Sequence, residues 1–275
     1  MVHAAELVFH VLAHVRDTAG LAPSVFDPAW VAFVERHAGP STERTLAEDA
    51  RVIGRAATTH EALAEVQLLA WLFDDAARMA ACADRNLDAL SAADVDDPGL
   101  LPLLVESARR AAIEVLRAAA ELEAEVYAAL PPARHDPRAL SAARARVERA
   151  SPELRGCVVE TVRPLRLRGR VRGARIWVGS PCDDEGPTAE HVAWQAAHEA
   201  TVAEVHARAR EAGVPVAHAP LEHAALVLLA ERAARVSEGA AHARWLAHLR
   251  GLPAIDRAAL DERWRAVVER SLRRD

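Results

Sequence analysis

The sequence predicts a mainly α protein: a helical bundle-like domain with one inserted antiparallel β-hairpin. Three observations carry that prediction. Alanine supplies much of the 51% hydrophobic content while aromatic residues are only 4%, and alanine is the residue that costs least in a helix. Apolar residues recur at spacings of three and four through most of the chain, with capping residues ahead of these runs and glycine or proline behind them. One stretch alone, 156–179, is β-branched, alternating and punctuated by glycine.

The first expected helix, 2–17, is apolar almost all the way round, so it should be buried. Its one polar strip is Glu6, His10 and His14 at i, i+4, i+8, a spacing that stacks side chains on one side of a helix. His-x-x-x-His is also a spacing at which two imidazoles can share a metal ion. Further helices are expected at 28–38, 45–57, 59–85, 103–130 and 138–149. Within 59–85, Asp74-Asp75 reads as a solvated face, because neighbours on a helix point about 100° apart. DVDDPGLLP, residues 94–102, is a turn rich in acid, proline and glycine.

The hairpin of 156–179 is expected to turn at Gly169-Arg170, with a bulge at Pro164 where the apolar alternation changes parity. That register sets Cys157 opposite Cys182 as a pair of thiols. The region is also basic: from 144 to 175 there are ten arginines against three glutamates. Arg166, Arg168, Arg170 and Arg172 are therefore candidate anion-binding residues. Only Trp177 offers a stacking ring, which counts against single-stranded nucleic acid.

Two helices follow, at 188–212 and 220–238, the second ended by Gly239, and a last one at 255–274 is capped by Asp256. On the first of these a single stripe holds His191, Trp194, His198, Val202, Val205 and Ala209, with Glu204 and Arg208 pointing away. On the second, Glu222 and His223 lie on an apolar side among leucines and alanines. Burying an acid or an imidazole alone costs several kcal/mol, so these groups need partners.

The chain of 275 residues reads as a single domain. Its point of division into halves, 1–130 and 138–275, is LPPARHDP at 130–137, which is short for a linker. A formal charge of −6 argues against whole-surface attraction to nucleic acid or anionic membrane. All the basic residues are arginine, and the three cysteines form no CxxC pair. No run approaches the roughly 18 apolar residues of a membrane span, and the first residues lack a basic n-region or cleavage site. The expectation is a soluble cytoplasmic protein without membrane contact.

Ionisable residues on three inner helix faces point to a shared site. His10, His14, His191, His198 and His223 are the expected metal ligands, with Glu222 as ligand or general base. Imidazole-rich coordination suits a transition metal (zinc, iron or copper) and disfavours magnesium or calcium. His198-Glu199 resembles the start of the HExxH helix of zinc hydrolases, but Val202 stands where the second histidine would be. His191, Gln195 and His198 are similar in spacing to the HxxxDxxH ligands of helical di-iron oxidases, with Gln195 in place of the acid. Neither likeness places the chain in a family. The functional expectation is a metal-dependent enzyme, hydrolase or oxidoreductase, activating water or dioxygen on a small-molecule or peptide substrate. The alternative is a non-catalytic helical protein whose Arg-rich hairpin docks an acidic protein partner or nucleic acid.

Overall fold

The computed structural model describes residues 4–18, 49, 51–53, 66, 68–83, 85, 90–103, 106–121, 137–162, 165, 169–179, 189–250, 255 and 257–273. Among them 70% are helical, and the one sheet is small. The chain forms two compact units: Met1–Ala133 with Val162–Arg166 and Pro181–Asp184, and Arg134–Thr161 with Leu167–Ser180 and Glu185–Asp275. No helix among the described residues is long and apolar enough to cross a membrane.

In the first unit, α1 (Ala4–Thr18) packs against α2 (Leu69–Leu72), α3 (Ala76–Cys82) and α4 (Glu106–Glu121). Residues 4 to 12 of α1 are all buried, Glu6 and His10 included, as its nearly continuous apolar surface requires. The helix expected over 59–85 is broken at Phe73–Asp75, which are extended or bent. Asp75 caps α3, its carboxylate accepting from the Ala77 N–H at 2.8 Å. The Asp74 N–H donates instead to the Asp96 carboxylate at 2.7 Å, and the Asp96 N–H to the Leu72 carbonyl at 2.7 Å. Aspartate competes with helix continuation by bonding nearby backbone, and here two of them win. The acidic turn is itself anchored, through ion pairs of Arg78 with Asp96 and Arg85 with Asp94. The Arg85 guanidinium, then Ser91, hold the Asp94 carboxyl well below the usual carboxylate range. The expected helix at 28–38 lies outside the described residues, as does most of 45–57.

The second unit holds α5 (Pro137–Val147), β1 (Val158–Thr161), β2 (Gly169–Arg172), β3 (Arg175–Val178), α6 (Ala189–Glu211), α7 (His218–Arg235), α8 (Gly239–Arg250) and α9 (Glu262–Leu272). Its sheet is a correction to the expected hairpin. The three strands lie in the order β1-β3-β2, with β1 parallel and β2 antiparallel to β3. The tight turn is at Gly173, whose φ of +56° favours glycine. Gly169 begins β2 opposite Val178, so no turn forms at Gly169-Arg170. Pro164 and Cys182 lie outside the described residues; Cys157 is a free thiol donating to the Glu153 carbonyl, and burial pushes its pKa up.

Helix α6 is the centre of this unit. It packs against α5, α7, α8, α9 and both β2 and β3, and every residue from 192 to 201 is buried. The expected stripe is therefore only part of its buried surface. Glu204, expected to point away, forms a two-oxygen ion pair with buried Arg232 at 2.7 and 3.3 Å. The helix ends where the sequence says it should: Gly213 has φ +66°, its N–H reaches the Arg210 carbonyl, and Val214 N–H reaches Ala209, a Schellman cap. Helix α7 ends the same way, but Ser237, not Gly239, takes the left-handed position with φ +62°. Gly239 instead starts α8, so the stretch 240–250, left without an element by the turn reading, is helical. The last helix is capped by Asp261, whose carboxylate accepts from Trp264 N–H at 3.0 Å, later than the expected Asp256.

Candidate functional site

Four buried polar residues on α6 show how the unit is held and where it is unfinished. Thr201 donates back to the Ala197 carbonyl at 2.7 Å. The Glu199 carboxylate accepts from Gln195 Nε2 at 2.7 Å and from the Gly169 N–H at 3.1 Å, tying the start of β2 to the helix. It is a structural clamp, so the HExxH likeness carries no base here. His198 is fully buried, and its Nε2 stands 3.1 Å from Glu222 Oε2 on α7. Its Nδ1 has no hydrogen-bond partner among the described residues.

Around His198 lies a layer of rings. Its imidazole centroid is 5.9 Å from that of Trp245; His242 stands 5.3 Å from Trp245 and 5.0 Å from Trp194. Burial, then the neighbouring His198, pushes the His242 pKa down to about 4, so this imidazole is neutral at physiological pH. Trp194 Nε1, Trp245 Nε1 and His242 Nε2 are buried with no hydrogen-bond partner among the described residues. A buried polar atom left unpaired costs about 1–3 kcal/mol, so three of them in one layer of rings call for an explanation.

The two indoles also line a cleft of about 600 Å³, together with Glu190, His191, Ala241 and Arg244. That is the size of a small-molecule site. Local sequence explains the lining: 190, 191 and 194 share one side of the first turns of α6, and 241, 244 and 245 one side of α8. Neither Glu190 nor Arg244 has an ion pair or side-chain hydrogen bond among the described residues.

Of the expected site residues, the second unit brings His198 and Glu222 into contact and sets His191 in the cleft. His223 is half-buried beside Glu222 on α7, where successive side chains diverge by about 100°. His10 is buried on α1 in the first unit, and the His14 side chain lies outside the described residues. Among the described residues no group of three or more His, Cys, Asp or Glu side chains is placed to hold a metal ion. One reason is plain in the helix geometry: His191 and His198 are two turns apart, about 10 Å along the axis.

The arginines of the basic region are largely engaged where they are described. Arg144 bonds Glu148 and the Leu154 and Cys157 carbonyls, Arg149 pairs with Glu238, and Arg175 with Glu160. Arg170 and Arg172 are half-buried on β2, and Arg166 and Arg168 lie outside the described residues. The residues of this region that the sequence does not single out are Glu190 on α6 and His242, Arg244 and Trp245 on α8. The spacing of Ala241, Trp245 and Leu246 is the available signal, obscured because Gly239 reads as a stop and no element is expected before 255. No family model matches the chain, and no curated protein or solved structure matches it either.

Proposed function

We propose that the second unit is the active site of an enzyme that binds a small molecule in the cleft and moves a proton on it. The observation that supports this reading is the adjacency of the cleft to unfinished, buried imidazole chemistry. Trp194 and Trp245 line the cleft and contact the His242 and His198 rings, and His198 is bonded to Glu222. His191 also lines the cleft, and is in this reading the group that exchanges a proton with a bound molecule. The His198–Glu222 pair lies behind the indoles, and neutral His242 adds no charge to that layer. Excluding water from that layer strengthens each of these interactions.

The test is turnover of a defined metabolite mixture, followed by mass spectrometry, for the native protein and for His191→Gln. A component consumed by the native protein and consumed about a hundredfold more slowly by the variant supports the reading. No consumption, or consumption indifferent to the substitution, overturns it.

A metal ion is the second reading, favoured by the contact between His198 and Glu222, since imidazole and carboxylate are both donors to zinc or iron. A third donor is needed beyond these two side chains. Metal analysis after supplemented expression should then give about one equivalent in the native protein and little in His198→Ala. Less than about 0.2 equivalents in the native protein removes the metal and leaves the acid–base reading in place.

A further inference from the structure

The cleft carries two opposite charges that the fold does not use. Glu190 sits one turn ahead of Trp194 on α6, and Arg244 is next to Trp245 on α8; all four line the same cleft. Neither Glu190 nor Arg244 has an ion pair or side-chain hydrogen bond among the described residues, and Arg244 is exposed, so both charges are open to a ligand. The walls between them are two indoles, both buried.

We propose that the cleft takes a small zwitterion with an apolar body, the chemistry of a free α-amino acid. Resting on the reading of this cleft as a substrate site, the proposal names what that site recognises. Arg244 presents a planar fork of N–H donors, which suits a carboxylate better than any other small anion of one charge. Glu190 supplies the opposite charge for an ammonium group, and an indole face attracts the same cation. The apolar part of the ligand then lies along the wall formed by Ala241 and the edges of Trp194 and Trp245. A simple anion would leave Glu190 repelling it, and a simple amine would face Arg244. A molecule carrying both charges satisfies both.

The experiment is calorimetric titration of the full chain with three probes that share one phenyl body. These are L-phenylalanine, phenethylamine, which lacks the carboxylate, and 3-phenylpropionate, which lacks the ammonium. L-Phenylalanine should bind about tenfold tighter than either of the others. Arg244→Ala should cost L-phenylalanine and 3-phenylpropionate about tenfold and leave phenethylamine unchanged; Glu190→Gln should do the reverse for the ammonium-bearing pair. Arg244 is exposed and Glu190 half-buried, so both variants should keep the native melting temperature, which is measured alongside. Equal affinity for the three probes, or no binding of L-phenylalanine up to about 10 mM, overturns the proposal. Repeating the titration with His191→Gln separates the two ideas. Zwitterion binding without turnover in any protein sinks the enzymatic reading and keeps this one; turnover of a substrate carrying a single charge, with no probe binding, does the opposite.

Discussion

Arg232 shows what one side chain can decide. It is buried and holds two carboxylates at once, Glu204 through both oxygens and Glu153 at 3.2 Å. Burial, with Glu204 close by, holds the Glu153 carboxyl above its ordinary range despite the guanidinium. Removing the cation leaves two acids facing each other out of water, so Arg232→Ala should destabilise by about 3–5 kcal/mol. Urea unfolding at pH 7 and at pH 4.5 checks the cause as well as the size. The loss should shrink at the lower pH, where protonating either acid relieves the repulsion. Ser237 is the opposite case, a residue the backbone tolerates poorly. Its φ of +62° closes the cap of α7, and a side chain in that conformation costs about 1 kcal/mol relative to glycine. Ser237→Gly should therefore raise stability by about 1 kcal/mol in the same denaturant assay.

At the scale of elements, the contact of α6 with the sheet depends on the absence of one side chain. A Cβ at Gly169 would come within 2.5 Å of the Glu199 Cγ and 2.7 Å of the Trp177 carbonyl. The backbone of β2 must approach that closely for its N–H to reach the Glu199 carboxylate. Gly169→Ala should cost about 1–3 kcal/mol through overpacking and expose the Gly169 amide. Amide hydrogen exchange of β2, faster by at least about tenfold than in the native chain, is the readout. Unchanged exchange would mean that the sheet is held by its strand pairing alone. The same element shows why Gly169 is ambiguous in the sequence. A turn and a close approach both demand glycine, and the alternation on either side does not distinguish them. Asp74 and Asp75 pose the same ambiguity, because an acidic pair in an apolar helical run is either a wet face or a cap. It became a cap only because Asp96, 22 residues on, captured the Asp74 N–H.

At the scale of the molecule, the ring layer makes stability depend on pH. The His242 pKa falls from 6.5 in the unfolded chain to about 4 in the fold. Between those values the unfolded chain binds the extra proton. The contribution of a neutral His242 is thus full above pH 6.5 and is lost as pH falls toward 4, amounting to about 3 kcal/mol. His242→Phe keeps a ring against Trp194 and Trp245 and cannot titrate. Its unfolding free energy should fall less than that of the native protein between pH 7 and pH 4.5. Parallel curves would place the acid sensitivity elsewhere. Glu153 acts with the opposite sign, its contribution being present below its unfolded pKa and lost as pH rises, so the comparison with the variant isolates the imidazole.

Several properties were determined by the sequence alone, because they rest on interactions between near neighbours. Alanine-rich segments with apolar residues at three and four form α1, α6, α7 and α9; Gly213 stops α6; and a β-branched, glycine-punctuated stretch makes the one sheet. His198 and Glu222 are legible as groups on apolar faces that need partners, and the structure pairs them, His198 buried and Glu222 half-buried. Tertiary structure decided what local pattern could not. Strand β1 pairs beside β3 and not in a hairpin, a choice between pairings of similar local quality. The helix at 59–85 breaks because a distant carboxylate competes for its backbone. Glu204 turns inward because Arg232 waits on another helix. The cleft itself is a tertiary object: Trp194 is legible in the sequence only as a core residue, and Glu190, Arg244 and Trp245 join it only when two helices distant in sequence are laid side by side.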